Sequence, residues 1–142
     1  MSLKLEDVMV HNVVSVKKTV TIDKAVKLMN DHGIGSLVVV DQGKPVGIVT
    51  ERDMLTRVLL ASKNPKKTKV SEVMSQPLII GTTKMKLEEV VKLMIEHKIK
   101  KLPVTKDGNL VGLITLTDIL HLQPELLRIY GILNADISTK IR

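Results

Sequence analysis

The sequence repeats itself once, and this duplication limits the possible folds more than any other feature. Shifting the chain by 65 positions aligns Val8–Leu55 with Val73–Leu120 without a gap, and 16 of the 48 aligned pairs are identical. Ordinary composition would give roughly three or four identities over this length. The chain therefore contains two copies of one structural unit.

Each copy has the pattern of a β-α-β-β-α unit. In the first copy the pattern predicts strands at Val13–Val16, Leu37–Val40 and Val46–Val49, and helices at about Thr21–His32 and from Thr50 to about Arg57. In the second copy the corresponding strands are Leu78–Ile80, Leu102–Thr105 and Leu110–Ile114, and the helices are Leu87–His97 and one that starts at Thr115.

Local signals indicate where these elements begin and end. Four apolar residues share one face of the first helix: Ile22, Ala25, Val26 and Met29. We expect Thr21 to cap the start of this helix and Gly33 to end it. The segment Asp41–Lys44 has the residue types of a hairpin turn.

A single copy is too small to be stable alone. About 60 residues bury only a marginal share of their surface, and the chain has no Phe, Trp or Cys and only one Tyr. We therefore predict an α/β (α+β) fold in which repeat 1 (residues 1–61) and repeat 2 (residues 70–122) pack sheet to sheet. Residues 62–69, with four lysines, Pro and Asn, are predicted to form a linker loop.

Residues 123–142 are predicted to form a C-terminal helical tail. An amphipathic helix is expected over Leu120–Leu133, with Pro124 at a new helix start. Its apolar positions are Leu122, Leu126, Ile129, Tyr130 and Leu133. Such a helix either covers the edge of the core or mediates self-association, and the sequence does not choose between them.

Several function classes find no support in the sequence. No apolar stretch approaches the roughly 18 residues of a spanning helix, and Met1–Val16 lacks the apolar region of a signal peptide. We therefore expect a cytoplasmic protein without a membrane partner. His11 and His121 have no partners at zinc-ligand spacing. Because no nucleophile or metal constellation is present, we expect neither an enzyme nor a catalytic cofactor.

The positive charge is concentrated in the middle third of the chain. The net charge is +7, and residues 61–101 hold ten Lys and four Glu, which accounts for +6. Such a field attracts anions. The segment is either an ordinary solvated surface or the flank of a phosphate-binding site.

Both copies end their last strand with the same motif. It is Gly47-Ile48-Val49-Thr50-Glu51-Arg52-Asp53 in the first copy and Gly112-Leu113-Ile114-Thr115-Leu116-Thr117-Asp118 in the second. Thr-x-x-Asp at a strand-to-helix junction is typical of a capping box, which only stabilises the helix. The same hydroxyl and carboxylate can also bind a ribose diol, so both interpretations remain open.

The duplicated pattern resembles a known family. Two β-α-β-β-α copies that close on Gly-h-h-Thr-x-x-Asp, opened by Asp7-Val8-Met9 and Glu72-Val73-Met74, resemble a tandem pair of cystathionine-β-synthase (CBS) domains, or Bateman module. The resemblance covers about 115 of the 142 residues. It implies pseudo-two-fold symmetry, two clefts between the repeats and frequent homodimers. It also implies regulatory adenosine ligands: AMP, ADP or ATP, and in some members S-adenosylmethionine or NAD.

The resemblance also assigns residues to each cleft. In one cleft Thr115 and Asp118 would bind ribose and Lys100 and Lys101 phosphate. Its adenine wall would consist of Val10, Ser15 and Ile34. In the other cleft Thr50 and Asp53 would bind ribose, and Ser75, Ile80 and Ile99 would form the wall. There Gly35 and Ser36 occupy the phosphate positions, and Arg52 is the substitute cation. Since lysine contacts to phosphate are charge-assisted, we predict tighter binding at Thr115 and Asp118.

Three functions follow from these features. The leading one is a sensor of adenine nucleotides that signals to an unidentified target protein. A nucleic-acid-binding protein is less favoured, because the lysines support it but aromatic stacking residues are missing. A structural dimerisation module with empty clefts is the third.

Overall fold

The computed structural model describes residues 3–76, 78–129 and 131, and it shows a mixed α+β fold with two three-stranded sheets. The elements, in chain order, are α1 (Leu5–Val8), β1 (Ser15–Lys17), α2 (Ile22–His32), β2 (Ser36–Asp41), β3 (Lys44–Thr50), α3 (Glu51–Asp53), a π-helix (Met54–Leu59), a 3₁₀-helix (Val70–Glu72), β4 (Gly81–Thr82), α4 (Leu87–His97), β5 (Lys101–Lys106), β6 (Asn109–Thr115), α5 (Leu116–Leu122) and α6 (Pro124–Ile129). This order confirms the predicted β-α-β-β-α pattern in both repeats.

Two compact units divide the chain, and neither corresponds to one sequence repeat. The first-repeat unit contains the described residues of 13–78 together with 108–110. The second-repeat unit contains those of 1–12 and 79–107 and those from 111 onward. The segment that leads into the first strand of each repeat therefore belongs to the unit built from the other repeat.

In the first-repeat unit, the sheet has the order β1-β2-β3. Strand β1 is parallel to β2, and β2 is antiparallel to β3. The turn between β2 and β3 places Gln42 and Gly43 at φ angles of 52° and 79°, as a two-residue hairpin loop requires. This confirms the predicted turn. The core is aliphatic and consists of Val16, Ile22, Ala25, Met29, Leu37, Val39, Val49, Val58, Val70 and Val73.

The second-repeat unit repeats this arrangement in the order β4-β5-β6, with β4 parallel to β5. Helix α4 has the predicted bounds and buries Leu87, Val90, Val91 and Met94. Leu126 of α6 is also buried in this core, so this part of the predicted tail covers the core edge. Of the other predicted tail positions, Leu122 is half exposed. Tyr130, Leu133 and the side chain of Ile129 lie outside the described residues.

For α2, the residue that ends the helix is predicted correctly and the residue that caps its start is not. Gly33 has a φ of 62° and follows the helix in the left-handed conformation, as predicted. The prediction that Thr21 caps the start is wrong, because its hydroxyl donates to the Asp23 carboxylate instead. This hydrogen bond lowers the pKa of Asp23 below its ordinary value of 3.8. The backbone amides of Ile22 and Asp23, which have no partner within the helix, donate to carbonyl oxygens of the 62–69 loop.

The first strand of each repeat starts later than the apolar pattern indicates. Strand β1 begins at Ser15, two residues after the predicted start, and the strand predicted at Leu78–Ile80 is wrong, since β4 is Gly81–Thr82. Both strands are short edge strands, and they extend only where they pair with β2 or β5. Apolar residues before them pack in the cores without strand pairing: Val14 in one unit and Ile79 in the other.

Residues 62–69 contain neither helix nor strand and are fixed by hydrogen bonds. The Asn64 side chain accepts from the Lys66 amide (2.9 Å), and the buried Thr68 hydroxyl donates to the Asn64 carbonyl (2.8 Å). The Thr68 carbonyl in turn accepts from Ile22 at the start of α2 (2.9 Å). Within the described residues, no helix has the length and apolar character needed to cross a membrane.

Candidate functional site

Thr50 and Asp53 form a reciprocal capping box between β3 and α3. The Thr50 hydroxyl accepts a hydrogen bond from the Asp53 amide at 3.2 Å. Asp53 Oδ2 accepts from the Thr50 amide at 2.9 Å and from the Thr50 hydroxyl at 3.1 Å. Asp53 is buried, with 7% of its surface exposed. The capping interpretation of the motif is therefore realised in full in the first repeat.

Arg57 is a further residue of this site and was not predicted from the sequence. Its Nε lies 3.7 Å from Asp53 Oδ1. Its Nη1 donates to the carbonyl oxygens of Val73 (3.0 Å) and Met74 (3.3 Å). The four-residue spacing from Asp53 indicates the ion pair. The contacts with Val73 and Met74 join positions 16 and 17 residues apart, for which the sequence gives no signal.

Thr115 and Asp118 have a simpler arrangement at the junction of β6 and α5. The Asp118 amide donates to the Thr115 hydroxyl at 3.1 Å. Both residues are half-buried. The described residues provide neither a hydrogen-bond donor nor a cation for the Asp118 carboxylate. Asp53, by contrast, accepts two hydrogen bonds from Thr50 and lies near Arg57.

A leading segment precedes the first strand of each repeat and includes Val10 in repeat 1 and Ser75 in repeat 2. Each leading segment pairs with the strand that carries the motif of the other repeat. Val10 exchanges both backbone hydrogen bonds with Leu113 of β6 (2.8 and 3.0 Å), and Ser75 pairs likewise with Ile48 of β3 (3.5 and 2.9 Å). Val10 is 48% exposed, and Ser75 is also exposed. Each of these predicted wall residues is therefore paired two residues before the motif threonine of its own unit.

Close packing against the motif glycines holds these segments in place. A side-chain carbon at Gly112 would overlap the sulfur of Met9, and one at Gly47 would lie 2.5 Å from the sulfur of Met74. Because glycine has no side chain, the methionine side chains can pack against the backbone at these two positions. Within each unit, the methionine that opens one repeat therefore packs against the motif glycine of the other repeat.

The predicted phosphate positions also lie next to the motifs. The Lys100 carbonyl accepts from the Leu116 amide (2.7 Å), and the Gly35 carbonyl accepts from the Glu51 amide (3.0 Å). Lys100 is exposed and Lys101 half-buried. Gly35 instead faces an acid, since a side-chain carbon there would lie 2.5 Å from Glu51 Oε1. The two sites therefore differ in the charge near these positions.

The remaining cation predicted for the first-repeat site, Arg52, is exposed on α3. In the same unit, an open groove of about 430 Å³ runs between α2 and the helix that follows β3. It is lined by Val26, Met29, Asn30, Gly33, Ile34, Glu51, Met54 and Leu55. The described residues hold no cluster of three or more His, Asp or Glu that could bind a metal.

The predicted adenine-wall residues are divided between the two units. Val10 shares the second-repeat unit with Thr115 and Asp118, whereas Ser15 and Ile34 belong to the first-repeat unit. Ser75 shares a unit with Thr50 and Asp53, whereas Ile80 and Ile99 belong to the second-repeat unit. The grouping of each complete set around one ligand stays a prediction.

The family assignment follows from this architecture and from a direct match. The sequence matches the CBS domain model over residues 5–60 and 70–125. The chain belongs to the CBS-domain family and is a tandem CBS pair, as the duplicated pattern predicted.

Similar proteins with known sequences or structures support this assignment. The CBS domain-containing protein YhcV of Bacillus subtilis is 38% identical over 115 residues, which are 81% of this chain and 81% of that protein. An uncharacterized protein of Methanopyrus kandleri is 38% identical over 127 residues, 88% of this chain but only 65% of that protein. The CBS domain pair of protein MJ0100, in complex with 5′-methylthioadenosine and S-adenosyl-L-methionine, is similar with a TM-score of 0.76. It is 27% identical and covers 88% of this chain and 98% of the MJ0100 pair.

Proposed function

We propose that this CBS pair is a non-catalytic regulatory module that binds an adenine nucleotide, with Thr115 and Asp118 as the principal ribose site. The observation that carries this proposal is the half-buried Asp118 carboxylate, which has no partner among the described residues. Carboxylates that accept no protein hydrogen bond can accept two from the diol of a ribose. The adenosine ligands of the similar MJ0100 pair support a ligand of this class.

Lys100 and Lys101 would bind the phosphate groups. The Lys100 carbonyl is bonded to Leu116, the residue after Thr115, so the two lysines lie next to the ribose site. Lysine and phosphate form charge-assisted contacts, which are among the stronger hydrogen bonds. This favours AMP, ADP or ATP over S-adenosylmethionine, which has no phosphate. Val10, Ser15 and Ile34 remain the proposed adenine wall.

The Thr50/Asp53 site is proposed to bind nucleotide more weakly. Its phosphate positions are Gly35 and Ser36, and the Glu51 carboxylate faces Gly35. A negative side chain there would repel phosphate, and Arg52 is the exposed cation that would oppose this effect. Ser75, Ile80 and Ile99 remain the proposed adenine wall of this site.

The test is isothermal titration of ATP and AMP into the wild-type protein and into the variants Asp118→Ala and Asp53→Ala. We expect Asp118→Ala to lower the affinity at least tenfold, equivalent to about 1.4 kcal/mol, and Asp53→Ala to change it far less. A thermal-shift panel with AMP, ADP, ATP and S-adenosylmethionine ranks the ligands, because a specific ligand raises the melting temperature by mass action. Inosine monophosphate is the control for the base.

Two outcomes would contradict the proposal. Equal loss of affinity in both variants would overturn the ranking of the sites. No change in melting temperature with any of these ligands at millimolar concentration would favour a structural module with empty sites.

The ordered lysine loop supports a second candidate, nucleic-acid binding. Lys63, Lys66, Lys67 and Lys69 are exposed, and none of them forms an ion pair with the described residues. The charge alone would give weak binding that falls steeply with salt. Fluorescence anisotropy with single- and double-stranded oligonucleotides at rising salt would reveal it, and binding that persists at physiological salt would favour this candidate.

Signalling to a separate target protein and formation of a homodimer are part of the proposal. Three leucines in or just after the π-helix are strongly exposed: Leu55 (60%), Leu59 (73%) and Leu60 (79%). Such apolar side chains suit a protein interface. Sedimentation equilibrium of the wild-type protein and of Leu59→Lys would test the dimer, which the lysine should weaken.

A further inference from the structure

The two Thr-x-x-Asp sites differ at the residue four positions after the aspartate. Arg57 follows Asp53, and the repeat places Leu122 at the same position after Asp118. The Arg57 Nε lies 3.7 Å from Asp53 Oδ1, whereas Leu122 has no charge to offer. Among the described residues, a cation therefore lies beside the first aspartate and none lies beside the second.

Both oxygens of the Asp53 carboxylate are engaged by the protein. Oδ2 accepts two hydrogen bonds from Thr50, and Oδ1 faces Arg57. The Asp53 side chain is only 11% exposed. A ribose diol needs carboxylate oxygens that can accept its hydroxyl protons. A ribose that binds here would compete with Thr50 for Oδ2 and with the charge of Arg57 for Oδ1.

Contacts with the backbone keep Arg57 in this position. Its Nη1 donates to the carbonyls of Val73 and Met74. The segment that carries these carbonyls is itself anchored, since the amide of Met74 donates to Val70 (2.9 Å) and that of Ser75 to Ile48 (2.9 Å). The guanidinium is therefore preorganised against Asp53, so its displacement would also break hydrogen bonds to the leading segment of repeat 2.

The geometry points to Arg57 as the residue that makes the two sites unequal: it occupies the carboxylate that a ribose would need and restricts nucleoside binding to Thr115 and Asp118. This inference rests on the proposed function and deepens it. It differs from the ranking by phosphate charge, because it acts on the ribose. It therefore predicts that the sites remain unequal for adenosine, which has no phosphate.

The experiment is isothermal titration of adenosine into the wild-type chain, Asp118→Ala, and the double variant Asp118→Ala/Arg57→Leu. Leucine is chosen because repeat 2 has it at this position. We expect the wild-type chain to bind one adenosine and Asp118→Ala to bind it only weakly. Removal of the half-exposed Arg57 should raise the residual affinity about two- to fivefold, as expected for a partly solvated ion pair. Asp118→Ala/Lys24→Gln, which removes an exposed cation of the same unit, should match Asp118→Ala.

A second variant keeps the inference testable if loss of Arg57 disturbs folding. Leu122→Arg adds the cation to repeat 2 at a residue that is 51% exposed, and it should weaken adenosine binding by a similar factor. Two adenosines bound with equal affinity, or no gain on removing Arg57 from a folded protein, would overturn the inference while the proposed function stands. Absence of adenosine binding to a wild-type chain that binds ATP would also overturn the inference alone, whereas absence of binding of both adenosine and ATP would refute the proposed function as well.

Discussion

The backbone turns into the left-handed region after the first long helix of each repeat, with a different residue in each copy. Gly33 has a φ of 62° and Lys98 a φ of 54°. Glycine adopts this conformation without a steric penalty, whereas other residues pay about 1–2 kcal/mol. Among the described residues, no atom beyond the two neighbours in the chain lies within 4 Å of the position that a Gly33 side chain would occupy, so backbone strain decides the effect of a substitution there.

Exchanging the residue types at these equivalent positions should therefore have opposite effects. We expect Lys98→Gly to stabilise the protein by about 0.5–1 kcal/mol and Gly33→Ala to destabilise it by about 1 kcal/mol. Urea denaturation with the same probe for both variants measures the change in the free energy of unfolding. A loss of stability in Lys98→Gly would show that the lysine side chain makes contacts worth more than the strain.

At the scale of elements, the two motif threonines cap their helices unequally. The Thr50 hydroxyl both accepts from the Asp53 amide and donates to the Asp53 carboxylate, whereas the Thr115 hydroxyl only accepts from the Asp118 amide. We expect Thr50→Ala to lower the free energy of unfolding by about 1–2 kcal/mol and Thr115→Ala by about 0.5–1 kcal/mol. The comparison requires nucleotide-free protein and chemical denaturation.

Serine variants at both positions are the matched controls, because they retain the hydroxyl and should retain most of the stability. In the nucleotide titration the order should reverse, with Thr115→Ala causing the larger loss of affinity. A larger stability loss for Thr115→Ala than for Thr50→Ala would contradict this division between a structural and a binding threonine.

The elements that the sequence predicts well are those whose signals are local. The bounds of α4 follow from the spacing of Leu87, Val90, Val91 and Met94, and the hairpin turn follows from Gly43. The strand before α4 was misplaced, because β4 exists only where Gly81 and Thr82 pair with β5. Similarly, the Thr-x-x-Asp pattern predicts the caps, but the contacts of Arg57 with Val73 and Met74 depend on long-range packing.

At the scale of the whole molecule, the repeats of the sequence are not independent folding units. Leu5 and Met9 precede repeat 1's first strand, yet they are buried in the core of the second-repeat unit. Val70 and Val73, at the equivalent positions or nearby in repeat 2, are buried in the core of the first-repeat unit. Each unit therefore contains core residues from both repeats, and the expectation that one copy alone is too small stays a prediction.

Because each core includes residues of the other repeat, a mutation in one repeat should destabilise the unit built mainly from the other. Leu5 is fully buried, and its amide donates to the Met85 carbonyl (2.8 Å); Val70 is fully buried, and its amide donates to the Val20 carbonyl (2.8 Å). Leu5→Ala should cost about 2–5 kcal/mol and loosen residues 79–107 and 111–126, although the mutation lies in repeat 1. Val70→Ala should cost about 2 kcal/mol and loosen residues 13–61 instead.

Hydrogen exchange followed by mass spectrometry separates these outcomes, because protection reports the opening of each cooperative segment by itself. The two variants serve as controls for each other, since they occupy equivalent positions of the repeat and remove buried aliphatic carbons. If Leu5→Ala increased exchange in residues 13–61 as much as in 79–107, the chain would open as one cooperative unit. If exchange increased only in residues near Leu5, the segment before β1 would not be needed for the stability of the core in which Leu5 is buried. The crossed pattern is the expected result, because each of the two side chains is buried in the core of the unit built mainly from the other repeat.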